Sequence, residues 1–224
     1  ITSRQSIHES PMPAFDRVLT PAALADLVSW LMQQRTLPAA PATVMAAPAR
    51  AQAGGIPAVQ MFAWTKQADR LQLSYGGQPF ADYVFTDPQT LRPHFQNLRA
   101  PGGVQVTRRH PPGADEPNDH ATMHPGLWIA FGDINGQDFW RNKARVQFEK
   151  TVLAPEIREG ALTFADSFVL LSTTGEVMGR QESKCELRPL SGAWRLRWTA
   201  TFFPQSSELV FGDQEEMGLG VRVA

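Results

Sequence analysis

The sequence predicts an all-β protein built as a large antiparallel β-sandwich, and three observations predict it. From Val59 onward, short apolar runs bounded by turn formers recur about every ten residues, which is the spacing of strands in a sandwich or barrel. The 18 prolines and 17 glycines exceed what helices tolerate, because each interrupts a helix or a ladder unless it lies in a turn. Several runs also alternate apolar and polar residues with period two, as a strand with one buried face must.

The chain has 224 residues, enough for one large domain or for a domain with an appendage. Hydrophobic residues at 42% and charged residues at 19% lie near globular values, and a formal charge of -1 offers no electrostatic footprint for nucleic acid. Since every apolar run is too short to cross a bilayer as a helix, no membrane span is expected. The single cysteine, Cys185, excludes an intrachain disulfide; alternating with Lys184 and Glu186 as on a strand, it is expected to be an inert, half-buried thiol. The chain opens at Ile1 without a methionine and ends at Ala224 within what reads as a strand. Both ends therefore read as cut.

Residues 1–35 differ in pattern from the rest of the chain. Thr20 is placed to cap a helix that Pro21 opens, and Leu24, Leu27, Val28 and Leu31 come next at helical spacing with Trp30 adding bulk. A helix over 21–35 is therefore expected, preceded by a stiff Pro11-Met12-Pro13 segment. Residues 36–57 are rich in alanine and proline and nearly uncharged, so they read as a linker to the sandwich domain, 58–224.

Within that domain the expected strands run Val59 to Trp64, Leu71 to Tyr75, Ala81 to Phe85 and Leu127 to Phe131. Arg145 to Lys150, Leu162 to Leu171, Glu176 to Glu186 and Trp194 to Phe203 complete the series, the last two with clear alternation. On the last of these, Arg195 and Arg197 share one face while Trp194, Leu196 and Trp198 share the other. Gly76-Gly77, Thr86-Asp87-Pro88 and Pro101-Gly102-Gly103 supply the turns, and 108–118 forms a charged, proline-rich loop. The segment 211–224 reads as a turn carrying Glu215 and Glu216 that leads into a strand. No repeat of solenoid period is present.

Chemistry concentrates between Asn118 and Trp140, which holds two of the five histidines and two of the six tryptophans. A plain strand and turn accounts for Leu127 to Phe131 and for Asp133, Asn135 and Gly136. It leaves His120 and His124 before the strand, and Asp133 and Asp138 after it. Polar groups gathered at both ends of a buried strand are where a rigid scaffold presents chemistry.

Two resemblances refine this reading. Met12-Pro13-Ala14-Phe15 with the L-T-P-A-A-L-A-D-L-V-S-W-L run beyond it resembles the C-terminal end of a class I cytochrome c and of related haem-binding domains in large secreted bacterial proteins. That resemblance implies a haem c in the part of the protein upstream, with Met12 matching the axial ligand. Further on, Asp82-Tyr83-Val84, Leu91-Arg92-Pro93, Pro101 to Arg108, the string D-H-x-x-x-H-P-G-L-W-I-A-F-G-D-I-N-G-Q-D-F-W and F-G-D-Q-E-E-M-G-L-G-V-R-V-A look like the PmoA-type domain family. This resemblance implies a mutarotase-like supersandwich, a periplasmic or extracellular setting, and a saccharide or other small-molecule ligand. The sequence departs from the family pattern in its looser histidine cluster, His120 and His124, and in His94 after Arg92-Pro93.

Three functional readings are open. As a carbohydrate-active enzyme, the domain would use His120 or His124 as acid and Glu215 or Glu216 as base. Arg92, Asp133, Asn135 and Asp138 would then hold the substrate, Trp128 or Trp140 would stack on a sugar face, and no cofactor is expected in the sandwich. As a non-catalytic binding module, the same pocket would need no shifted acid or base. As a metal site, His120 and His124 have H-x-x-x-H spacing, although Pro125 opposes a continuing helix; Asp119, Asp133 and Asp138 would alternatively supply oxygen ligands for calcium.

Overall fold

The computed structural model describes residues 61–206 and 208–224, so the expected helix, linker and Met12 lie outside the described residues. Ten strands form two antiparallel sheets, with no helix among the described residues. The first sheet has the order β1-β2-β3-β4-β5-β10, from β1 (Phe62–Lys66), β2 (Arg70–Tyr75), β3 (Gln78–Val84), β4 (His94–Gln96), β5 (Leu127–Phe131) and β10 (Met217–Val221). The second has the order β6-β7-β8-β9, from β6 (Arg145–Arg158), β7 (Ala161–Leu171), β8 (Val177–Leu190) and β9 (Ala193–Pro204).

The second sheet is a meander of long hairpins. Gly160, Gly175 and Gly192 take positive φ at its turns, a conformation glycine adopts without steric penalty. Period-two alternation sets its register: on β9, Trp194, Leu196, Trp198 and Phe202 are half-buried while Arg195, Arg197 and Thr199 are exposed. On β8 the alternating row that includes Gln181, Ser183, Cys185 and Leu187 is buried. Cys185 is thus wholly buried rather than half-buried, because its row faces the core and it pairs with Phe164 across the ladder.

Side chains from both sheets pack into one core. Tyr83 on β3 meets Phe164 on β7 with ring centroids 4.9 Å apart, Phe95 on β4 meets Trp198 on β9 at 5.2 Å, and Phe85 meets Phe148 on β6 at 4.7 Å. Tyr83, Phe95, Phe164 and Phe85, the buried rings among them, each stabilise the fold by roughly 1.5–3 kcal/mol through area removed from water.

Strand β4 has only three residues, all buried, too few for the sequence to reveal a period. Val104 to Thr107 makes the isolated bridges Arg99↔Gln105 and Thr107↔Val223 instead of a full strand. Since Phe95 faces the core, its neighbour His94 points to the opposite face of the sheet. His94 is the register partner of Trp128 on β5, so both lie on this outer face. Both are nonetheless buried, because the loops before and after β4 fold over them.

Candidate functional site

The connection between β4 and β5 delivers His120 and His124, and two buried arginines determine its path. Arg92, 2% exposed, donates from Nη1 to the carbonyls of Phe139 (3.3 Å) and Trp140 (2.8 Å) and to Asn142 Oδ1 (2.6 Å). Its Nη2 donates to the Met123 carbonyl. Arg108, 3% exposed, donates to the carbonyls of Pro117 (2.8 Å), Asp119 (3.0 Å) and His124 (3.3 Å). Asn142 Nδ2 and Thr90 Oγ1 both donate to the Thr122 carbonyl. Each guanidinium offers donors in a fixed planar fork, so these bonds fix both position and orientation of the loop. Burial lowers the Arg92 pKa to about 9, which leaves the guanidinium charged at neutral pH.

The pinned loop turns tightly at His120, where φ is 51°, and the His120 carbonyl accepts from the backbone N–H of Met123 (3.0 Å) and His124 (2.8 Å). Four aromatic rings then cluster. His124 stacks on Trp128 at 5.0 Å with 10° between planes, His120 lies 5.2 Å from His124, and Trp140 lies 5.3 Å from Trp128 and 6.3 Å from His124. His120 is exposed, His124 and Trp140 are half-buried, and Trp128 is buried. Gly220 on β10 admits the Trp128 ring edge, since a Cβ there would collide with it.

The charge around His124 is positive. Burial pushes its imidazole pKa down, and His120, Arg92, Arg222 and Arg108 push it the same way. Asp119 is held by Arg222, whose Nη2 lies 2.9 Å from both carboxylate oxygens, and by Arg108 at 3.3 Å. The ring is therefore neutral at pH 7 and faces a cationic surround.

The structure distributes the other expected site residues elsewhere. Arg92 is a clamp on the loop, because all the oxygens it donates to belong to the chain. Trp128 has one face covered by His124 and Arg92 5.6 Å from its ring, which withdraws it from a stacking role. Asp133 accepts from the Gly136 N–H (2.6 Å), and Asn135 exchanges bonds with the Glu208 carbonyl (3.0 Å) and the Val210 N–H (2.6 Å), so both shape the turn after β5. Asp138 pairs with Arg141 (3.2 Å) and Lys143 (3.6 Å). Glu216 also pairs with Arg141, and its carbonyl accepts from the Gly132 N–H (2.8 Å). It lies past the end of β5 opposite to the one His124 precedes. Glu215 is exposed beside it.

Asp119, Asp133 and Asp138 therefore engage three different sets of partners. Among the described residues, the side chains close enough to share one ion are Asp87, His94 and His110, whose ligand atoms lie within 4.8 Å of one another. Sequence reasoning passed over this group because its members are separated by loops. It also passed over a cleft of about 870 Å³ lined by Tyr75, Phe80, Trp194 and Gly102, between the β2–β3 and β8–β9 turns. No described helix is long and apolar enough to cross a membrane.

Residues 70–224 match the model of a family described as a family of unknown function, DUF6807. No curated protein and no solved structure matches the chain.

Proposed function

The chain belongs to the DUF6807 family, and on that premise we propose that its sandwich domain is a non-catalytic saccharide-binding module that takes a sugar bearing a carboxylate. The observation that carries the reading is the loop of His120 and His124, immobilised by Arg92 and Arg108 beside a half-buried Trp140. Preorganisation of this kind reduces the ordering cost of binding. The half-buried Trp140 ring offers a face for stacking, His120 and His124 offer hydrogen bonds, and the guanidinium groups around His124 favour an anion.

Binding is preferred to acid-base catalysis because Glu216 is paired with Arg141 and the charges bearing on His124 are cations. A proton relay needs its acid and base within hydrogen-bond reach of one substrate. The choice of a sugar rests on the resemblance to PmoA-type domains and mutarotase-like sandwiches. A periplasmic or extracellular setting, beside a haem-bearing domain, belongs to the same proposal.

The test is calorimetric titration of the full chain with uronate-containing and neutral oligosaccharides, together with a search for turnover of the same sugars. The uronates are expected to bind, Trp140→Ala to weaken them at least tenfold, and no turnover to appear. Undiminished binding in Trp140→Ala removes the site, and turnover with a bell-shaped pH profile restores the enzyme reading. A second location is favoured by the aromatic lining of the cleft at Tyr75 and Trp194; loss of binding in Trp194→Ala but not in Trp140→Ala would move the site there.

A further inference from the structure

We propose that Asp87, His94 and His110 form a binding site for a divalent transition-metal ion of the zinc type. Asp87 lies in the turn after β3, His94 opens β4, and His110 comes from the loop beyond β4. Their ligand atoms lie within 4.8 Å of one another, and the imidazole centroids of His94 and His110 are 5.5 Å apart. Ligands about 2.0–2.1 Å from a tetrahedral zinc stand roughly 3.4 Å from each other, so closure around an ion requires about an ångström of movement.

The hydrogen bonding prepares the donors. His94 is fully buried, and its Nδ1 lies 3.1 Å from the Arg92 carbonyl. A carbonyl only accepts, so Nδ1 carries the proton and Nε2 presents its lone pair. That Nε2 is buried with no partner, and so is Nδ1 of His110. A buried polar nitrogen without a partner has lost its hydration and gained no bond in return, and two such nitrogens beside one carboxylate make a donor set for a metal ion. The Nδ1–H to carbonyl bond of His94 is also the outer contact that commonly orients a ligating imidazole.

Asp87 Oδ1 accepts from the N–H groups of Gln89 and Thr90, each at 2.7 Å, which fixes the carboxylate in its turn. Its Oδ2 takes no hydrogen bond from the described residues. Two imidazoles and one carboxylate suit zinc and its first-row neighbours better than calcium or magnesium, which prefer all-oxygen sites. Three protein ligands leave a fourth position for water. Asp87 and His110 are only partly buried, which gives an ion a route from solvent.

The test is zinc titration of the chelator-stripped full chain, in competition with a chromophoric chelator, and repeated with Co²⁺ for its visible ligand-field absorption. One equivalent of zinc is expected to bind and to raise the melting temperature. Asp87→Asn preserves an acceptor oxygen for the turn and His110→Gln keeps a polar side chain of similar length; each is expected to weaken zinc at least tenfold and to erase the Co²⁺ band. The double variant His120→Gln/His124→Gln should bind zinc as the parent does. Absence of saturable binding, or one equivalent that survives both Asp87→Asn and His110→Gln, overturns the proposal. Loss confined to the His120/His124 variant overturns it too, by assigning the ion to the other histidine pair.

Discussion

Asp166 stands on β7 in the core-facing row between Phe164 and Phe168, and it is only 4% exposed. Burial raises its carboxyl pKa to about 6, against an opposing pull from the Thr151 hydroxyl and Lys66. The sign comes from proton counting: between about pH 3.8 and pH 6 the folded chain holds a proton that the unfolded chain has released. This group therefore favours folding below that window, and the contribution is lost as pH rises through it. Asp166→Asn is expected to stabilise the protein by about 1–2 kcal/mol at pH 7 and to flatten this part of the profile. Urea melts at pH 4 and pH 7 measure both; equal gains at the two pH values would show that the carboxyl charge is not the cause. Nothing local in F-A-D-S-F marks this aspartate as a core residue, since the register that turns it inward is set by pairing with β6 and β8. The same long-range pairing buries Cys185 completely.

Strand β5 shows at the scale of one element how much the sequence disclosed. Its bounds are those that the apolar run Leu127 to Phe131 predicts, and β8 and β9 were legible as strands because alternation over many residues overdetermines a strand, although β8 runs on to Leu190, past the expected end at Glu186. The entry to β5 was not legible. Gly126 has φ 150°, and a Cβ there would strike the Phe95 carbonyl oxygen of β4. Gly126→Ala should therefore push β4 from β5, lower stability by about 2–3 kcal/mol and disturb the His124–Trp128 stack. A chemical melt and the tryptophan fluorescence maximum read the two effects, and a variant matching the parent in both would refute the close approach. The loop before Gly126 was predicted as a site by its residue density alone. What holds it was hidden, because Arg92 reaches the Met123 carbonyl 31 positions away and Arg108 the His124 carbonyl 16 away, separations that leave no local pattern. The metal-type cluster was hidden for the same reason, with Asp87, His94 and His110 meeting only after β4 is laid beside β3.

The two sheets depend on each other for burial. Strand β3 contributes Tyr83 and β4 contributes Phe95, both wholly buried, and these pack on Phe164 of β7 and Trp198 of β9. Neither sheet has another apolar layer among the described residues to cover that face, so separating them would return Tyr83, Phe95 and Phe164 to water. The domain should consequently unfold as one cooperative unit despite its two hydrogen-bonded sheets. Phe164 is the clearest probe, since its ring is 1% exposed and meets Tyr83 across the interface. Phe164→Ala removes a ring from the interface and should lower stability by about 3–5 kcal/mol through lost transfer energy and the cavity left behind. The decisive readout is where that loss appears. Hydrogen exchange of β3 amides in the first sheet and of β8 amides in the second should accelerate together in the variant, because both report the same global opening. If β8 loosens while β3 keeps the protection of the parent, the sheets are independent units and the shared core contributes little to their union.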